Sequence, residues 1–282
     1  MSLHELSLLS STEIGELGKQ AGSIAIVPSG ALEAHGPHLP IANDSLYIER
    51  LIKEVAGQLP GPVVCTPVVM GGLSHRHRRY PGTVVLSPDA YKAGIASAVQ
   101  TFVRAGFQRI ALVSGHGGNF PAMREVERAT QGLHPNASIR AFGGFGRTFT
   151  QPLEQLAEEM ELRLCKSEGH AGMFQTSIAL HLFPELVGDY LSVTGYTAGE
   201  TGWWKTLATQ GAHALHPTGV IGDPSRASKD FGRLGFERLV ENFRTWLVTA
   251  FTKPSDWRYR ERDAATFDYL DPEDFDVTPE RP

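Results

Sequence analysis

Between residues 24 and 142, short apolar runs alternate with helix-length segments, and several of the runs exit into glycine. Ile24-Ala25-Ile26-Val27 is the first run. Asp44 or Ser45 can cap a helix over 46–59, in which Leu46, Leu51, Ile52, Val55 and Leu59 share one face. Residues 63–70 are rich in β-branched side chains and stop at Gly71-Gly72, and 83–86 reads as a short strand. Ser87-Pro88-Asp89 opens a helix through Ala105. A strand over 109–113, a glycine-rich turn, a helix from about Pro121 and a strand over 138–142 complete the series. Such alternation predicts an α/β fold: a three-layer α/β/α sandwich with a mostly parallel central sheet.

The rest of the chain is less regular. Residues 153–164 and 174–182 read as helices, and a loop-rich stretch over 188–229 carries Trp203-Trp204 and Gly219-Val220-Ile221-Gly222-Asp223-Pro224. A long helix is expected over 231–251. With 282 residues the chain can hold one large domain or two smaller ones; it is read as a single α/β domain over 1–252. The tail, 253–282, is acidic with interspersed aromatics (Trp257, Tyr259, Phe267, Tyr269, Phe275) and is expected to pack on the domain or on a neighbouring subunit.

A formal charge of -5 argues against a nucleic-acid surface. The one basic run, His75-Arg76-His77-Arg78-Arg79, reads better as part of a site or subunit contact than as a phosphate track. Two cysteines, Cys65 and Cys165, give neither a disulfide framework nor zinc-finger spacing. Signal-peptide and membrane-span patterns are missing, so a soluble cytoplasmic protein without a membrane partner is expected.

Three clusters carry chemistry. In Gly30-Ala31-Leu32-Glu33-Ala34-His35-Gly36, Glu33 and His35 are two apart, so in extended backbone they leave the same face. Asp44 follows; alone it is as good a helix N-cap as a ligand, but beside Glu33 and His35 it can bridge two cations. His38, set between prolines, reads as a surface imidazole or one supporting the ligands. His116 lies in Gly115-His116-Gly117-Gly118-Asn119; an anion-binding nest is the alternative, but the Lys-Ser/Thr ending of a P-loop is lacking. His170 in Glu168-Gly169-His170-Ala171-Gly172 can relay a proton to a leaving nitrogen, with Glu168 orienting it or binding metal through water. Carboxylate plus imidazole suits zinc, manganese or iron, and the pattern predicts a metal-dependent hydrolase with one or two ions. Ser74 and His77 invite a serine-nucleophile reading, but no Gly-x-Ser-x-Gly elbow surrounds a serine. Ser74, His77, Gln175, Trp203 and Trp204 are therefore expected to contact substrate or support the ligands. Trp203-Trp204 could close over a flat substrate or form an interfacial pair.

These residues resemble the creatininase family of metal-dependent amidohydrolases. The opening motif with Asp44 downstream, Ser74-x-x-His77-x-x-Tyr80-Pro81-Gly82-Thr83, Gly115-His116-Gly117-Gly118-Asn119, His170-Ala171-Gly172 and Gly222-Asp223-Pro224-x-x-Ala227-Ser228 carry the resemblance, from about Ile24 to Phe251. It implies that Glu33 and His116 bind one metal, His35 the other, and Asp44 bridges them, with His170 as catalytic proton carrier. It also implies an α/β/α sandwich, a homo-oligomer (a hexamer in creatininase itself) and hydrolysis of a C–N bond in a cyclic or linear small-molecule amide. Three departures from the family pattern, at five positions, stand out. Creatininase supplies a glutamate where this chain has Gly118, and a tryptophan and an acid where it has Lys166 and Ser167. Many relatives carry glutamates at Met173 and Gln175. Two alternatives follow: a catalytically impaired member acting as a ligand-binding oligomer, or a C–O or C–C hydrolase using the same metal site.

Overall fold

The computed structural model describes residues 3–69, 71–143 and 146–252. The expected packing of the 253–282 tail lies outside them. In chain order the elements are β1 (Leu3–Glu5), α1 (Ser11–Lys19), β2 (Ile24–Ser29), α2 (Asn43–Ala56), β3 (Val63–Cys65), α3 (Pro88–Arg104), β4 (Arg109–Ser114), α4 (Phe120–Leu133), β5 (Ser138–Ala141), α5 (Gln151–Glu159), α6 (Met173–Leu182), α7 (Trp203–Gln210) and α8 (Lys229–Ala250). The strands form one sheet in the order β1-β3-β2-β4-β5, every pairing parallel.

Side-chain alternation along the strands separates two apolar layers. Ile24, Ile26, Val63, Cys65, Ala111 and Val113 face α2, α5, α6 and α8. Ala25, Val27, Val64, Ile110, Leu112 and Ile139 face the opposite way, against α1, α3 and α4. The expected α/β/α sandwich is what the chain forms. Among the described residues no helix is long and apolar enough to cross a membrane.

Several boundaries differ from expectation. The 63–70 strand is cut to Val63–Cys65, because Pro67 has no N–H to give the ladder. The segment nevertheless stays beside β2, Thr66 N–H donating to Ile26 O and Val69 N–H to Pro28 O. Residues 83–86 contribute only a bridge between Val85 and Gly72. α2 begins at Asn43, so Asp44 sits inside its first turn rather than capping it. Trp203-Trp204 opens a helix, not a loop. The N-terminal β1 and α1 were not anticipated; α1 is started by a capping box in which Ser10 and Glu13 exchange hydrogen bonds.

Candidate metal centre

The sheet order creates a crevice. α2 leaves β2 toward one face, and α4 leaves the neighbouring β4 toward the other. In open parallel sheets such a reversal places ligands at the strand C-termini. Residues 30–42 emerge there from β2 and residues 115–119 from β4. Gly115 lets the β4 exit press on α2, since a Cβ there would collide with the Asp44 carbonyl. A one-turn 3-10 segment, His75–His77, and the 168–172 loop close the remaining sides.

Glu33, His35, Asp44 and His116 come together and are nearly sealed from solvent, with exposures of 1%, 0%, 2% and 7%. Asp44 directs one oxygen to each of two histidines: Oδ1 lies 2.9 Å from His35 Nε2, and Oδ2 lies 3.0 Å from His116 Nδ1. Glu33 faces three. Its Oε2 is 3.5 Å from His116 Nε2, while Oε1 is 3.1 Å from His77 Nδ1 and 3.5 Å from His170 Nδ1. The His170 ring lies between those of His77 and His35, at centroid distances of 4.0 and 4.2 Å. Two ligand groups result, Glu33–His77–His170 and Glu33–His35–Asp44, sharing Glu33.

The tautomers follow from backbone partners. A carbonyl only accepts, so His35 Nδ1–H donates to Glu33 O at 2.9 Å and His170 Nε2–H donates to Ala34 O at 2.8 Å. Each ring then turns its other nitrogen toward a carboxylate. A bare nitrogen lone pair against a carboxylate oxygen is repulsive unless a proton or a cation lies between. Histidines that ligate metals are commonly held in this way by a backbone carbonyl on the far nitrogen. Neither oxygen of Glu33 nor either ring nitrogen of His77 has an aligned hydrogen bond among the described residues. The donor set therefore fits a divalent ion of the zinc or manganese kind.

Electrostatics agree. Burial pushes the Glu33 carboxyl up, but His116, His77 and His170 outweigh it and hold it well below the carboxylate range. Asp44 is likewise lowered, burial being overcome by His35 and His116. Burial opposes charge on His116, yet Glu33 and Asp44 raise it to about 9. His170 is driven well below its usual value by burial and by His77 and His35.

The other anticipated residues fall variously. His77, expected to serve substrate or ligands, stands in the cluster itself; its signal was the Ser-x-x-His spacing before Tyr80-Pro81-Gly82-Thr83. The His77 N–H donates to Ser74 O at 2.9 Å, but the buried Ser74 hydroxyl makes no hydrogen bond to the His77 ring among the described residues. Gln175 reaches the cluster from α6, its Nε2 3.2 Å from Asp44 Oδ1. His38 is not at the surface: it is buried, its Nε2 2.9 Å from Thr176 Oγ1, which ties the β2 exit to α6. Glu168 accepts from Phe174 N–H at 3.3 Å and Asp223 N–H at 3.4 Å, which anchors the start of α6; burial pushes its carboxyl up to about 7. α7 packs against the His75–His77 turn, with Trp203 tilted on Tyr196 and Trp204 partly exposed. That turn buries His75 and His77 and leaves Arg78 and Arg79 exposed, so His77 is the residue of the basic run that joins the cluster.

The family model described as "Creatininase: Creatinine amidohydrolase" matches residues 7–247. The mycofactocin precursor peptide peptidase of Mycobacterium ulcerans (strain Agy99) is 28% identical over 245 residues, 81% of this chain and 89% of that one. A 3-dehydro-scyllo-inosose hydrolase of Thermotoga maritima is 24% identical over 254 residues, 81% of this chain and 78% of its own. A solved structure titled "Creatininase Mn" superposes with a TM-score of 0.72 at 20% identity, covering 89% of this chain and 99% of that one.

Proposed function

The chain belongs to the creatininase family, and from that premise we propose that it is a metal-dependent amidohydrolase that cleaves a C–N bond of a small amide. One observation carries this reading: buried histidines, each with one nitrogen pinned to a backbone carbonyl, turn the other toward Glu33 or Asp44. Glu33, Asp44 and His116 would hold the ion, with His35 beside Asp44 and His77 closing on Glu33. A divalent ion there supplies Lewis acidity, polarising a carbonyl and acidifying water.

The protein's own residues do the rest. Burial of the two carboxylates excludes bulk water and strengthens each charge interaction. His170, held well below its usual pKa by burial and by the neighbouring His77 and His35, presents Nδ1 3.5 Å from Glu33 Oε1, where it would take a proton and pass it to the departing nitrogen. The Ala34 carbonyl fixes its ring for that exchange. Glu168 holds the start of α6, and with it Gln175, in register.

The test loads the purified protein with zinc or manganese and assays lactams, formamides, cyclic ureas and short peptides. Peptides belong in the panel because one relative is named a peptidase. Glu33→Gln and His116→Ala should abolish turnover while leaving assembly intact, which a purely ligand-binding oligomer would not show. A protein that takes up no metal and keeps its thermal stability on chelation would overturn the reading. Esters and cyclic ketones test the C–O or C–C alternative, favoured by a relative named for 3-dehydro-scyllo-inosose rather than for an amide. We further place the enzyme in the cytoplasm as a homo-oligomer, with a hexamer expected in size-exclusion light scattering.

A further inference from the structure

We propose that the side-chain amide of Gln175 stands where a second cation would sit, so that the centre binds one divalent ion per chain. This rests on the metal-hydrolase reading above and refines it. His35 and Asp44 look like half of a second site, with Nε2 and Oδ1 2.9 Å apart. Into that half reaches Gln175, from the first turn of α6, its Nε2 3.2 Å from Asp44 Oδ1 and 3.3 Å from His35 Nε2.

The orientation of that amide is forced. Gln175 Oε1 accepts the Ala171 N–H at 2.6 Å. A backbone N–H can only donate, so the atom facing it must be the oxygen, and the atom facing His35 and Asp44 must be the nitrogen. An amide NH2 offers two hydrogens and no ligand lone pair. It donates to Asp44 Oδ1 and to His35 Nε2, the two acceptors that would otherwise call for a proton or a cation between them. Flipping the amide would set its NH2 against the Ala171 N–H in a buried site, donor against donor.

Apart from Glu33, which offers a ligand atom within 4.8 Å of those of His35 and Asp44, nothing nearby among the described residues adds a ligand. Gly118 has no side chain, and a Cβ there would lie 2.6 Å from both His116 Nε2 and Leu73 O. Met173 is buried and carries only a thioether, a soft donor unsuited to a hard cation. On the other side of Asp44, by contrast, both Glu33 oxygens lack hydrogen-bond partners. A carboxylate at 175 could keep one oxygen on Ala171 N–H and turn the other to His35 and Asp44.

Metal-stripped protein is titrated with Zn2+ in a calorimeter, and the dialysed product is analysed by mass spectrometry. The wild type should take up one ion per chain. Q175E should take up two, the second lost again in Q175E/H35A. Manganese-loaded wild type, which needs no variant, should give the paramagnetic resonance of isolated ions rather than of a coupled pair. Two ions of similar affinity in the wild type, a coupled manganese spectrum, or a folded Q175E that still binds one ion would each overturn the proposal. Uptake of no ion at all would overturn the metal-hydrolase reading with it, which distinguishes the two failures.

Discussion

His116 illustrates how a single residue in this centre couples to pH. Without an ion, its imidazole lies between Glu33 and Asp44 and is stabilised in the charged form, which raises it to about 9 against an unfolded value near 6.5. A group raised on folding contributes fully below its unfolded pKa and loses that contribution as pH climbs through the folded one. Metal-free protein should therefore lose stability between pH 6.5 and 9, by at most about 3 kcal/mol. Urea unfolding of the chelated protein at pH 6 and 9.5 checks this, and His116→Ala should flatten the difference. In the metal-loaded protein the slope should reverse over the acid side, because ligands must lose protons to bind. Five of the cluster residues were legible from composition and spacing: Glu33 and His35 by alternation, Asp44 and His116 by their place after apolar runs, and His170 in its Glu-Gly-His-Ala-Gly segment. His77 and Gln175 were underrated. An imidazole in a basic run and a neutral amide in a helix show nothing in sequence of where the backbone aims them.

At the scale of elements, the site depends on how closely the β4 exit seats on α2. An added methyl at Gly115 would strike the Asp44 carbonyl, pushing Asp44 away from His116. Gly115→Ala should cost about 1–3 kcal/mol and weaken zinc binding, whereas a mutation that only loosened the core would leave affinity intact; calorimetric titration separates the two. The start of α6 offers a second handle. Glu168 supplies acceptors to the Phe174 and Asp223 N–H groups, so Glu168→Ala should lower stability by about 1–2 kcal/mol, read in urea midpoints. Helices were legible where apolar residues recur with helical spacing, as in α2, α3 and α8. The strands expected over 63–70 and 83–86 were not: Pro67 ends one, and Val85 forms a bridge rather than a strand because pairing depends on a neighbour distant in sequence. α7 escaped because a tryptophan pair after glycine carries no periodic signal.

The strand order is a property of the whole molecule, and local patterns do not encode it. Apolar runs alternating with helices imply a parallel sheet, but only the order β1-β3-β2-β4-β5 puts the β2 and β4 exits side by side with their helices on opposite faces. The candidate ligands accordingly come from five places: the β2 exit, the first turn of α2, the His75–His77 turn, the β4 exit and the 168–172 loop. An ion gripping Glu33, Asp44 and His116 would tie three of these together and would exist only in the folded state. Such a ligand stabilises by about 4 kcal/mol when present at ~1,000 times its dissociation constant. For a domain of this size each kcal/mol is worth about 2–4 °C. Chelation should thus lower the melting temperature by about 10 °C, and equimolar zinc should restore it in differential scanning calorimetry. A Glu33→Gln protein should already melt near the chelated value and gain little from zinc. If wild type and variant respond alike to chelator, these segments are held by packing alone, and the crevice is not where the metal acts.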